Sequence, residues 1–575
     1  MQYTSKEVYE YISHETNDPI VERKNCAVSG QPFAIFQSDL DFYNKISPTF
    51  DWRKLQIPAP TLCPEERQRR RLIFRNERKL YKRTCDYSGK DIISIYSPDK
   101  PYKVYDQKIW RSDARDPMNY GMDFDFSKTF TEQFSKLLVS VPHFSTINDY
   151  TQQTNSEYIH LAWPCKNCYI LAEASADEDC YYSYMIYNCK NCVDCSFIYD
   201  SDVCYSSVHC YNCYNSQYLY NCTNVNNSQY CNNCIDCNFC FWCNNLINKK
   251  YHINNKEYTP EKYQEKLIEE NKKLIEHKKI LKNYNWNQNS NTYWDFVVSC
   301  KNSTYVFDWY NLEDCKYTML VRDAKDSQDY SSWWENSFLM YECHNIWRNC
   351  SNCLFISNSW DNLSNNILTM LCVGWSNNLF WCVGLRNKQY CIFNKQYTKD
   401  EYEKTVANII THMQETGERG EFFHPSLSPF GYNETVAQEY FPLSKEATLA
   451  QWYQWSDYSS DPKIPAWATI LTWDQIPSDI ATVTDDILKQ VIICEISKRP
   501  FMIQKAELEF YRKHNLPLPR RHPDVRHEER MKLRPGRTLY LRNCDQCNRT
   551  ILSVYDKEYD WKVYCEHCYQ KEVFA

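Results

Sequence analysis

Glycine is nearly absent from this chain, nine residues in 575. Few positions therefore let the backbone approach a phosphate closely, and neither Gly-x-Gly-x-x-Gly nor Gly-x4-Gly-Lys-Ser/Thr occurs, which argues against nucleotide binding. Long apolar runs are missing too. The first 25 residues carry Glu7, Glu10, Glu15, Asp18 and Glu22, unlike a signal peptide, and no later stretch approaches the ~18 apolar residues of a membrane span. A cytoplasmic, reducing location is expected, with no membrane partner. A net charge of −7 speaks against coating nucleic acid along the whole length, although it averages over local basic stretches.

What is abundant is cysteine, 31 residues, of which 15 fall between Cys165 and Cys243. A disulfide scaffold suits short exported chains, so free thiols or metal ligands are expected instead. Sliding the segment on itself by an offset of 21 aligns Cys168, Cys189, Cys210 and Cys231, with Ser201 and Ser216 standing in for Cys in other columns. A fixed short period marks a solenoid built of single β-coils. Within a coil the small residues recur every three positions, whereas a plain strand alternates every two. Packing is the first reading of these thiols. Stacked pairs such as Cys210 and Cys231 cross-linking on oxidation, or runs such as Cys189, Cys192 and Cys195 holding soft metals, are the alternatives.

The chain is also duplicated on longer scales. At an offset of 139, Phe241-Trp242-Cys243 matches Phe380-Trp381-Cys382, and both copies continue through Asn-Lys-x-Tyr-Thr into helical sequence. Thr259-Pro260 and the Thr398/Glu401 capping box mark the two helix starts. Leu267, Leu274 and Leu281 predict an apolar stripe on the first helix, docked on the solenoid or pairing with a second copy. The second solenoid has a looser register, Cys350 to Cys372 at 22. At an offset of 459 the two ends match: Cys63-Pro64 with His522-Pro523, Arg67 and Arg71 with Arg526 and Arg530, and Cys85-Asp86 with Cys544-Asp545.

The expected fold is mainly β: two cysteine- and aromatic-rich β-solenoids with short helices, bracketed by zinc-ribbon-like modules. The divisions are a degenerate ribbon over 1–145, a solenoid over 150–258, a helix over 259–290, a solenoid over 291–397, a helix over 398–416, a connector over 417–490 and a zinc ribbon over 491–575.

Chemistry concentrates at the C-terminus. Cys544-x2-Cys547 and Cys565-x2-Cys568 are separated by two predicted strands, 551–555 and 562–564, whose hairpin would join the pairs. Four thiolates suit structural zinc and leave no open position for catalysis; iron in a rubredoxin-like role is the alternative. The N-terminal copy keeps Cys85 but has Ser88, Asp106 and Ile109 in the other positions, so its metal site is lost. Cys26-x2-Ser29 and Cys494-x2-Ser497 resemble half-sites. Two basic stretches occupy equivalent places in the modules, and Arg67, Arg70, Arg71, Arg75, Arg526 and Arg530 are candidate phosphate contacts for RNA or the ribosome.

Leu80-Tyr81-Lys82-Arg83-Thr84-Cys85-Asp86, Tyr120-Gly121-Met122-Asp123-Phe124-Asp125-Phe126, the Asn-Cys-x-Asn-Cys of 188–192, Ser428-Pro429-Phe430-Gly431-Tyr432-Asn433-Glu434-Thr435 and the run from His522 to Arg530 carry a resemblance. The chain resembles the uncharacterised cysteine-rich zinc-ribbon proteins of candidate-phyla bacteria. The resemblance implies a zinc ribbon, a cysteine-rich centre and no assigned activity. Three functional readings follow: a non-enzymatic zinc-binding scaffold with a protein partner, an RNA- or ribosome-associated protein, and a thiol redox or metal-storage protein.

Overall fold

A computed structural model of the chain describes residues 2–270, 280–282, 286–287, 297–331, 336–461, 464–559 and 561–573. It is mainly β, with about 17 turns of β-solenoid and few helices. The coil does not follow the sequence offset of 21. Parallel neighbours in the first solenoid are 12 apart: Ala172 pairs with Tyr184, Tyr184 with Ser196, Ser196 with Val208 and Val208 with Tyr220.

The three-residue spacing of the cysteines explains the coil. From Asn167 to Asn254 every third residue sits in the left-handed region, with φ between 47° and 58°. Each such residue turns the chain, and the next side chain points inward: Asn188 precedes Cys189, Asn191 precedes Cys192, Asp194 precedes Cys195. Twelve positions taken three at a time make a four-sided coil, each side spanning about 10 Å of extended chain. All 15 clustered cysteines fall on the inward position, so any multiple of three aligned some of them, and 21 is such a multiple rather than a coil.

Four side chains share each narrow interior, which explains their small size. The inward thiols donate to carbonyls. Cys192 Sγ lies 3.1 Å from the Lys190 oxygen and 3.7 Å from that of Ser201, and Cys195 Sγ is 3.4 Å from Val193 O and 3.5 Å from Cys204 O. Ser201 makes the same short contact, 2.8 Å to Tyr199 O, so serine replaces cysteine without leaving a polar atom unpaired. Cys210 pairs with Cys222, not Cys231, and all the cysteines are free thiols.

Asparagine occupies many turning positions because its short side chain tolerates the left-handed region. It also joins successive coils: Asn212 Nδ2 donates to Asn224 Oδ1 at 2.6 Å, and Asn221 to Asn233 at 2.7 Å. The second solenoid repeats the design with one added residue in several coils. His344 pairs with Ser357, and Leu354 bridges to Ile367, both 13 apart. The extra residue lies beside consecutive left-handed pairs, Arg348–Asn349 and Asp361–Asn362. This corrects the expected register of 22.

Each solenoid closes with a hairpin and a helix. The hairpin turns at Asn254–Asn255 and at Phe393–Asn394, and Thr398 and Glu401 form the expected capping box on helix Lys399–Glu415. The first helix spans Pro260–Glu270, but Ile280–Lys282 is a strand, parallel to Lys562–Tyr564. No single helix therefore carries the stripe from Leu267 to Leu281, and Leu274 lies outside the described residues.

Candidate metal centre and the buried arginines

The first cysteine pair sits at the tip of a hairpin. Strands Tyr540–Asn543 and Thr550–Ser553 are antiparallel, and the turn between them closes through Cys544 N donating to Arg549 O at 2.8 Å and Asn548 N to Cys544 O at 2.9 Å. Asn548 supplies the left-handed residue, φ 59°. Cys565 follows strand Lys562–Tyr564, and Cys568 lies in the first turn of helix Glu566–Val573. The expected hairpin between 551–555 and 562–564 is not the joint. Instead Asp545 holds the second segment, its N–H 3.1 Å from Val563 O and its carboxylate 2.6 Å from Val563 N.

All four sulfurs lie within 4.8 Å of one another. Zinc–thiolate bonds of about 2.3 Å make a tetrahedron with edges of about 3.8 Å, and Cys547 Sγ and Cys565 Sγ are 3.8 Å apart. The residues fit a tetrahedral metal. Burial raises the Cys544 thiol, but the N–H groups of Cys547, Cys565 and Gln546 outweigh it and bring it down to about 7. Burial and the neighbouring thiols push Cys568 up to about 12. Four thiolates crowd together only where a cation compensates their charge, which a tetrahedral metal would do here.

The same turn is built three more times. Cys26, Cys85 and Cys494 each accept a backbone N–H four residues on and donate to a carbonyl five residues on, at 2.8–3.2 Å, with Gly30, Gly89 and Lys498 left-handed. In the copy over 81–94, Cys85 Sγ accepts from Ser88 N and Asp106 N at 3.5 and 3.3 Å, while the Asp106 carboxylate caps the next helix. The other two copies face a helix start. Ser29 Oγ is 3.9 Å from Cys63 Sγ, and Cys494 Sγ accepts from His522 N at 3.2 Å. Cys63 and His522 thus hold third-ligand positions that sequence reading missed, because long segments separate them from their half-sites. Among the described residues only the C-terminal four form a metal-competent cluster.

The candidate phosphate contacts are corrected outright. Arg67, Arg70, Arg71, Arg75, Arg526 and Arg530 are all buried. Arg67 Nε and Arg71 Nη1 bind the two oxygens of Asp329 at 2.9 and 3.0 Å, and Arg70 and Arg71 bind Glu342 at 3.0 and 2.8 Å. Arg75 pairs with Glu173 at 3.1 Å and with Glu77. Arg530 binds Asp194 at 2.9 Å, and Arg526 binds the same carboxylate and Glu507. A buried guanidinium needs such partners, and none of these six offers its charge to a solvent-borne phosphate.

The pairs obey the internal symmetry. Arg526 and Arg530 lie 459 positions after Arg67 and Arg71, and Asp329 lies 135 after Asp194. The N-terminal helix Pro64–Leu72 thus grips the second solenoid, and the C-terminal helix Pro523–Lys532 grips the first. The next arginine reverses the direction: Arg75 binds Glu173 of the first solenoid, while Arg534 binds Asp308 of the second. Arg534 also donates to His209 of the first solenoid at 2.8 Å.

The molecule is thus a β-solenoid protein cross-braced by cysteine-turn modules, with one four-cysteine cluster able to hold a metal ion. Compared with protein-family models and with curated proteins, the chain matches none. No helix among the described residues is long and apolar enough to cross a membrane.

Proposed function

We propose that the protein is a non-enzymatic scaffold whose C-terminal module is locked by structural zinc. The observation that carries this reading is the meeting of four cysteine sulfurs within 4.8 Å of one another. Four protein ligands leave no position for water or substrate, and zinc in such a site contributes folding energy rather than chemistry. The braces support the same reading, since charges that could face a ligand are spent on holding solenoids and modules together. The paired solenoids then serve as a rigid platform for a protein partner, with exposed aromatic side chains such as Trp375, Tyr211 and Tyr214 on their outer faces.

Metal analysis of the purified full-length chain tests this. One zinc per chain is expected, and Cys565→Ser should lose it and make the C-terminal module protease-sensitive while the solenoids stay folded. Asp106→Ser, at the equivalent place in the N-terminal module, should leave zinc unchanged. A Cys565→Ser protein that keeps stoichiometric zinc and a resistant C-terminus would sink the proposal.

A further inference from the structure

The first solenoid contains more thiol than its coil requires. The second solenoid builds the same four-sided coil with Met340, Ile346, Ile356, Leu363, Leu379 and Leu385 at inward positions. Cysteine is therefore a choice in the first, and its placement is ordered. Because successive coils are offset by 12, Cys168, Cys180, Cys192 and Cys204 stack on one wall, Cys210, Cys222 and Cys234 on another, and Cys231 and Cys243 on a third. Neighbours in each stack hold equivalent places on adjacent coils: Cys210 pairs directly with Cys222, and the bridges Tyr169–Tyr181, Tyr181–Val193, Val193–Tyr205, Thr223–Ile235 and Asn232–Asn244 set the other neighbours in register.

We propose that these stacks bind a soft monovalent d10 cation, Cu(I), in two-coordinate sites between sulfurs of successive coils. Three observations select this chemistry. The stacks offer pairs rather than cages, because among the described residues only the C-terminal cluster has three or more ligand atoms all within 4.8 Å of one another. That excludes a tetrahedral zinc site and suits a metal ion satisfied by two soft ligands. The spacing fits: parallel coils rise about 4.8 Å, and two metal–thiolate bonds of about 2.3 Å in line span about 4.6 Å. Charge also balances. Each Cu(I) that enters replaces one S–H proton, which leaves to solvent, and the sulfur bridges to the next metal. The buried column stays neutral and neither copper nor sulfur changes oxidation state. The first stack has three intervals, the second two and the third one, six in all.

Anaerobic titration of the reduced, zinc-loaded full-length chain with Cu(I), followed by desalting and metal counting, tests the idea. Retention of up to six Cu(I) with zinc unchanged and a copper–thiolate ultraviolet band is expected. The double variant Cys180→Ser/Cys192→Ser removes all three intervals of the first stack and should lose about half of the copper. Serine already occupies this wall at Ser216 and Ser228, so the fold should hold. Cys222→Ser is the second variant, interrupting only the middle stack. Copper bound only as zinc leaves, uptake indifferent to both variants, or uptake only with loss of the solenoid's circular dichroism would overturn the proposal. Because zinc is counted separately, failure here is distinguishable from failure of the scaffold reading.

Discussion

At the scale of single residues, the solenoid depends on the left-handed conformation every third position. That conformation costs an ordinary L-residue about 1–2 kcal/mol, and asparagine and aspartate visit it most readily. Val203 takes a turning position, at φ 55°, between Asn191 one coil before and Asn215 one coil after. Val203→Asn should stabilise the protein by about 1 kcal/mol, seen as a raised unfolding midpoint. Asn221→Ala removes the bond to Asn233 and the favourable conformer together, and should destabilise by about 1–2 kcal/mol. Equal midpoints for the two variants would contradict this account of the turn.

Protonation belongs to the same scale. Burial lowers His143 to about 4, with Arg115 and Arg83 adding to the shift, and lowers His160 to about 3, aided by Arg75. Both are held neutral when folded. Below about pH 6.5 the unfolded chain takes up protons that the folded chain refuses, so this contribution is complete above pH 6.5 and is lost as pH falls toward the folded values. His160→Asn should make the dependence of stability on pH between 6.5 and 5 shallower by close to one proton, about 1.4 kcal/mol per pH unit. An unchanged slope would mean that His160 does not resist protonation.

At the scale of elements, two short helices do the bracing. Helix Pro64–Leu72 carries three arginines in its last turn, which in isolation looks like a solvated or nucleic-acid-binding face. The carboxylate partner of Arg67 and Arg71, Asp329, belongs to the far solenoid and is remote in sequence. Removing one partner of a buried charge group costs about 3–5 kcal/mol, because the remaining charge is stranded. Asp329→Asn keeps a residue suited to φ 51° while deleting the charge that binds Arg67 and Arg71, so it should lower stability by about that amount. Asp194→Asn should behave alike, since Arg526 and Arg530 depend on it. A loss below about 1 kcal/mol in both would show that the braces are dispensable.

At the scale of the whole molecule, the long-range duplications in the sequence and the cross-bracing in the structure are one fact. Each terminal module binds one solenoid through its helix and the other through the arginine beyond it. The chain alone determined the β-solenoid class, the inward cysteines, the two helix-capped ends and the C-terminal cysteine quartet. These follow from short-range regularities: a three-residue spacing, a capping box and two Cys-x2-Cys turns. Only the tertiary structure decided the coil length, because every inward position shares one residue class and a sequence register cannot tell 12 from 21. It also decided the fate of the arginines. A guanidinium reads the same in a sequence whether it faces water or a buried aspartate, and the distant carboxylate that makes the difference is placed only when the coils stack.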